Sequence, residues 1–168
     1  MSVYCTLAIG GLLLARDIER LAAEIEAAGG SEMGQSIATS LRRGDGRIPF
    51  PSAEEGATDL DLTDLLDELH LSYVWYQSET EDTDEQETFR CALTSEVAFY
   101  DLFKSEIALK LDEIDNPETL AAARRWQRFK DELKLVIVPS NHALLEMSRE
   151  GHPMRAYALK IAASEMAA

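Results

Sequence analysis

The side chains of this 168-residue chain that could carry chemistry are three histidines, two cysteines and 31 carboxylates, set against 16 basic groups. Metal binding requires such ligands at fixed spacing, on one helical face or in paired Cys-x-x-Cys turns. His70, His142 and His152 offer no such pair, and Cys5 and Cys91 are far apart in sequence. Glu81-Asp82-Thr83-Asp84-Glu85 lacks the central glycine and terminal bidentate glutamate of an EF-hand loop, so it reads as solvated. Ser140-Asn141-His142 brings a hydroxyl near an imidazole, but without a Gly-x-Ser-x-Gly elbow these residues read as a helix cap. Gly10-Gly11 has neither dinucleotide spacing nor a Walker lysine, and is expected to be a structural turn. Both cysteines fall in apolar strand patterns and read as small hydrophobes. No catalytic residue, metal or cofactor is therefore assigned.

The basic run Arg124-Arg125-Trp126-Gln127-Arg128-Phe129-Lys130 interleaves cations with aromatics, as single-strand binders do. On a helix, Trp126 and Phe129 share one face, so they are expected in the core while the cations answer acidic groups elsewhere in the chain. Arg43-Gly44-Asp45 needs no function at a helix end.

The positioning elements follow from periodicity. Val3 to Ile9 reads as a buried strand, with a turn at Gly10-Gly11 and a helix from Leu12 carrying Leu14, Ile18, Leu21 and Ile25. Ser31 is expected to cap a second helix with Met33, Ile37 and Leu41, and Arg47 to Ser52 to be extended linker. Asp59 to Leu69 is an amphipathic helix with Leu62, Leu65, Leu66 and Leu69 on one stripe. The alternating runs Leu71–Gln77 and Thr88–Leu93 form a β-hairpin around the acidic connection Ser78–Glu87. Ser95 starts a helix through Ile114, Asn116-Pro117 starts the next, and Leu135–Val138 is a short strand before two final helices. The expected fold is one α+β domain over 1–168, in which a small sheet of about four strands, including the hairpin, packs against about six helices.

Charge is the most informative property. Residues 1–51 hold six acids and five bases, and residues 88–168 hold twelve and eleven, so both are nearly neutral. Residues 52–87 hold thirteen acids and no lysine or arginine, and account for almost all of the net charge of −15. Such a chain is not expected to bind nucleic acid or an anionic membrane directly. No segment reaches membrane-spanning length, and the first cation, Arg16, follows the apolar start rather than preceding it, so a cytoplasmic protein is expected. The 22 alanines and the excess of arginine over lysine, 11 to 5, suit a GC-rich bacterial or phage genome.

An acidic helix followed by a hairpin at 52–93 offers a row of anions. Helix residues three or four apart are separated by about 4.5–6 Å along the axis, comparable with phosphate spacing. The expected function is that of an acidic protein-binding antagonist that fills a basic, nucleic-acid-binding groove, by analogy with acidic inhibitors of restriction or CRISPR-type systems. Its partner-binding residues would be Asp61, Asp64, Asp67, Glu68, Glu79, Glu81, Asp82, Asp84, Glu85 and Glu87, with Trp75 and Tyr76 as aromatic anchors. Two other readings are an acidic chaperone or immunity protein for a basic effector or toxin, and a small enzyme. An acidic loop that only solubilises the domain is the fourth.

Overall fold

The computed structural model describes residues 2–54, 60–80 and 84–168. Among these lie seven strands: β1 (Ser2–Leu14), β2 (Arg47–Glu54), β3 (Ser72–Gln77), β4 (Gln86–Arg90), β5 (Val97–Phe103), β6 (Glu106–Ile107) and β7 (Leu135–Val138). Seven α-helices accompany them: α1 (Ile18–Ala27), α2 (Ile37–Arg42), α3 (Leu60–Glu68), α4 (Leu111–Ile114), α5 (Pro117–Glu132), α6 (Asn141–Met147) and α7 (Arg155–Ala167). The strands form one sheet in the order β2-β1-β3-β4-β5-β6, antiparallel throughout, with β7 added parallel to the second half of β1. The class is α+β, but the expectation of about four strands and six helices is overturned.

Three local misreadings account for the difference. Gly10-Gly11 is not a turn: β1 continues through it to Leu14 and leaves β3 to pair with β7. The glycines are needed because the strand passes tightly under its neighbours. A Cβ on Gly10 would lie 2.4 Å from Leu133 Cδ1, and one on Gly11, at φ +115°, 2.8 Å from Tyr157 Cε1. Second, the region expected to be a helix from Ser95 to Ile114 folds instead as β5, a turn with Lys104 and Ser105 in the left-handed region, β6 and the short α4. Its β-branched and aromatic content suits a pleated strand. Third, Arg47–Ser52 belongs to an edge strand. Pro49 accepts the Ser31 N–H at 3.0 Å on the side away from β1, so its missing donor costs the ladder nothing. The second helix also starts later than expected: Ser36, not Ser31, caps it, and Met33 is exposed.

The sheet has helices on both faces. Cys5, Leu7, Ile9, Ile48, Phe50, Tyr73 and Trp75 meet the apolar stripes of α1, α2 and α3 on one side. On the other, α5 lays Trp126 and Phe129 over Val74 and Phe89. A third cluster packs Leu12, Leu14 and Val138 against α6 and α7. Tyr157 of α7 anchors this cluster to the sheet through a 2.6 Å bond to Ser72 Oγ, which also accepts the Ala92 N–H. Asn116 and Ser140 act as N-caps, each accepting backbone N–H groups through its side chain.

Candidate functional site

The acidic segment is built on α3 and the β3–β4 hairpin. Leu62, Leu65 and Leu66 bury one side of α3 beneath α1. After Leu69 the chain reverses at His70, whose φ is +55°, and β3 returns along α3. Asp61 and Asp64 project outward from this helix, and Glu79 and Asp84 are exposed in the connection. Among the described residues these four carboxylates have no basic partner.

The remaining expected acids are engaged by other parts of the chain. Glu68 takes a bidentate pair from Arg20 of α1, at 2.7 and 2.8 Å, and that guanidinium holds its carboxyl below the usual range. Asp67 takes Arg90 of β4 in the same way, with both bonds at 3.1 Å. Glu85 accepts the Tyr76 hydroxyl at 3.1 Å. Burial and this acceptor together push the phenol up to about 12. Glu87 is interior: its side chain is 7% exposed and receives Lys130 Nζ of α5 at 3.0 Å. Burial raises the Glu87 carboxyl, outweighing the opposite pull of Lys130. The expected continuous row of anions is therefore shorter than the sequence suggests. Asp67 and Glu68 are exposed but paired within the chain, whereas Glu87 is buried.

Of the two expected aromatic anchors, Trp75 is corrected outright. Strand alternation turns it onto the helix-covered face, where it packs on Phe50 with ring centroids 4.8 Å apart. Tyr76 lies on the opposite face, half-buried. Glu81 and Asp82 lie outside the described residues, as does the expected helix start at Asp59.

A second feature was hidden from sequence. Between the outward face of β1–β3 and α5 runs a groove of about 1110 Å³, with Thr6, Ala8 and Val74 as floor and Tyr4 and Tyr76 beside it. The Glu87–Lys130 pair lines it, and Gln127 places a buried amide oxygen there with no partner among the described residues. A buried carboxyl–ammonium pair with an unpartnered amide oxygen in one groove can hold a polar ligand. Neither helix nor strand periodicity could have paired Glu87 with Lys130 specifically, although basic groups on α5 were expected to answer the acidic region.

Among the described residues no group of three His, Cys, Asp or Glu could hold a metal ion, and no helix is long and apolar enough to cross a membrane. Burial raises the Cys5 thiol, as a core position does. Ser140 caps α6, and no helix N-terminus follows Gly10-Gly11 to receive an anion. Compared with protein-family models, with curated proteins and with solved structures, the chain matches none.

Proposed function

We propose that this chain is an acidic protein-binding antagonist whose exposed carboxylates enter a basic, nucleic-acid-binding groove of a partner protein. The supporting observation is the charge distribution: thirteen acids and no lysine or arginine within 52–87, with Asp61, Asp64, Glu79 and Asp84 exposed and free of basic partners among the described residues. Asp61 and Asp64, three residues apart on α3, are separated by about 4.5 Å along the axis, near the pitch of a phosphate row. Unpaired surface charge of one sign steers association and makes it steeply salt-dependent. The analogy to inhibitors of restriction or CRISPR-type systems is one of physical class.

The test uses the full chain as bait in a lysate of its source at about 0.1 M salt, then asks whether the retained protein loses nucleic acid when this chain binds. The Asp61→Asn/Asp64→Asn double variant should weaken capture about tenfold at ~0.05 M salt and much less at ~0.5 M. Equal binding by the variant at every salt concentration, or simultaneous binding of nucleic acid and this chain, refutes the proposal.

A second reading, an acidic chaperone or immunity protein for one basic effector, is favoured by a different observation: apolar residues of β5 stand exposed on either side of Asp101. Under that reading one basic protein copurifies in fixed ratio, and these apolar residues matter more than Asp61 and Asp64.

A further inference from the structure

The helix layer does not cover its whole face of the sheet. α1, α2 and α3 cover β2, β1 and β3, and α3 reaches β4 through the pair from Asp67 to Arg90. Arg90 stands opposite Val97 on β5, and Thr88 opposite Phe99. Beyond Arg90 the face is open: Val97, Phe99 and Phe103 are 58%, 59% and 68% exposed. By strand alternation they share one side of the sheet, with Asp101 standing between Phe99 and Phe103 on that same side. Isolated exposed hydrophobes need no explanation, whereas three in one row on an uncovered sheet face do.

The backbone beside this row is open as well. Leu102 donates its N–H to Glu85 on the β4 side, while Asp101 accepts the Ala108 N–H on the other side. By alternation, Val97 and Phe99 turn their N–H and C=O groups the same way as Asp101, away from β4. β6 pairs only with Leu102 and Phe103, and among the described residues no strand continues past Val97 and Phe99. Sheet edges of this kind are ordinarily blunted by proline, lysine or a covering element. The opposite edge, β2, carries Pro49 and Pro51, whereas the open part of β5 has neither proline nor lysine.

We infer that the open edge of β5 accepts an extended, cationic segment of a partner protein as an added strand, whose alternate apolar side chains pack on Val97, Phe99 and Phe103. The added strand would take its main-chain bonds from Val97 and Phe99 and its specificity from the row beside them. Charge selects the occupant. Glu96 already meets Arg125 of α5 at 3.6 Å, but Asp101, within the row, and Glu106 have no basic partner among the described residues. A second copy at this edge would bring two such charges together, while a basic strand would neutralise them. This inference rests on the partner-binding reading above, and it replaces buried Trp75 with aromatic residues that are accessible.

The probe is a fluorescein-labelled peptide of alternating valine and lysine, about ten residues long. It should bind the full chain and shift amide resonances at Val97, Phe99 and their β4 neighbours. N-methylation of alternate residues should weaken binding at least about tenfold, since it removes the ladder donors. Phe99→Ser should weaken it similarly with the fold intact, and Val97→Pro, which removes an outward N–H at an edge position, provides a second variant. A valine–glutamate peptide should not bind. Binding indifferent to N-methylation or to both variants overturns the inference. So does a dimer that Phe99→Ser dissociates, because the occupant would then be a second copy. If the peptide maps to β5 while partner capture ignores Asp61→Asn/Asp64→Asn, the edge stands and the electrostatic antagonist reading falls.

Discussion

Removing the ammonium that faces Glu87 should destabilise the protein in a pH-dependent way. Lys130→Met leaves the stem volume on α5 but strands a carboxylate that is 7% exposed, and it also removes the bond from Nζ to the Ser105 carbonyl. Breaking one partner of a buried pair costs about 3–5 kcal/mol, and the groove beside this pair admits water, so about 3 kcal/mol is expected. For a chain of this size that corresponds to a fall in Tm of about 6–12 °C. The sign with pH follows from the raised Glu87 carboxyl. Between the ordinary carboxylate value and the raised one, the folded state holds the proton more tightly, so this group's contribution to stability falls as pH rises. Loss of Lys130 raises the folded value further. The deficit of the variant should therefore be full at neutral pH and shrink at acidic pH, as Glu87 takes up a proton. Urea unfolding followed by fluorescence of Trp126, on the same helix, measures this directly. Adding Glu87→Gln should recover about half or more of the loss, because the unpaired charge is gone. A deficit below about 1 kcal/mol, or one unchanged between neutral and acidic pH, would refute a buried charge pair here.

Other substitutions test the fold and the placement of the site. Gly11→Ala should cost about 3 kcal/mol by urea unfolding, through its φ of +115° and the approach of Tyr157. Trp75→Ala should cost about 3–5 kcal/mol in the absence of any partner, whereas a surface anchor would leave unfolding unchanged. Leu66→Ala, at a fully buried position on the inner side of α3, should cost about 2–4 kcal/mol. Asp61→Asn/Asp64→Asn should stay within about 0.5 kcal/mol of the parent, so that any loss of partner capture reports binding alone.

Properties carried by neighbouring residues were legible without coordinates. The acid excess of 52–87 is a count. The caps at Asn116 and Ser140 and the leucine stripe of α3 depend on side chains within one or two helical turns, and each forms as local rules require. The alternation of Leu71–Gln77 forms β3, but its partner is Gln86–Arg90, two residues earlier than Thr88 and ending before Cys91, in the register Tyr73 to Arg90 through Gln77 to Gln86. Tertiary structure decided the rest. Gly10-Gly11 has the local chemistry of a turn, and only the later partner strand β7 and the overlying Leu133 and Tyr157 make it strand. Val97–Phe103 carries a helix-compatible apolar spacing as well as a strand one, and pairing with β4 selects the strand. The same holds for the acids. Arg20 lies 48 residues from Glu68, and Lys130 lies 43 from Glu87. No local pattern encodes which carboxylates meet a cation and which remain free, because that choice is made when distant elements pack.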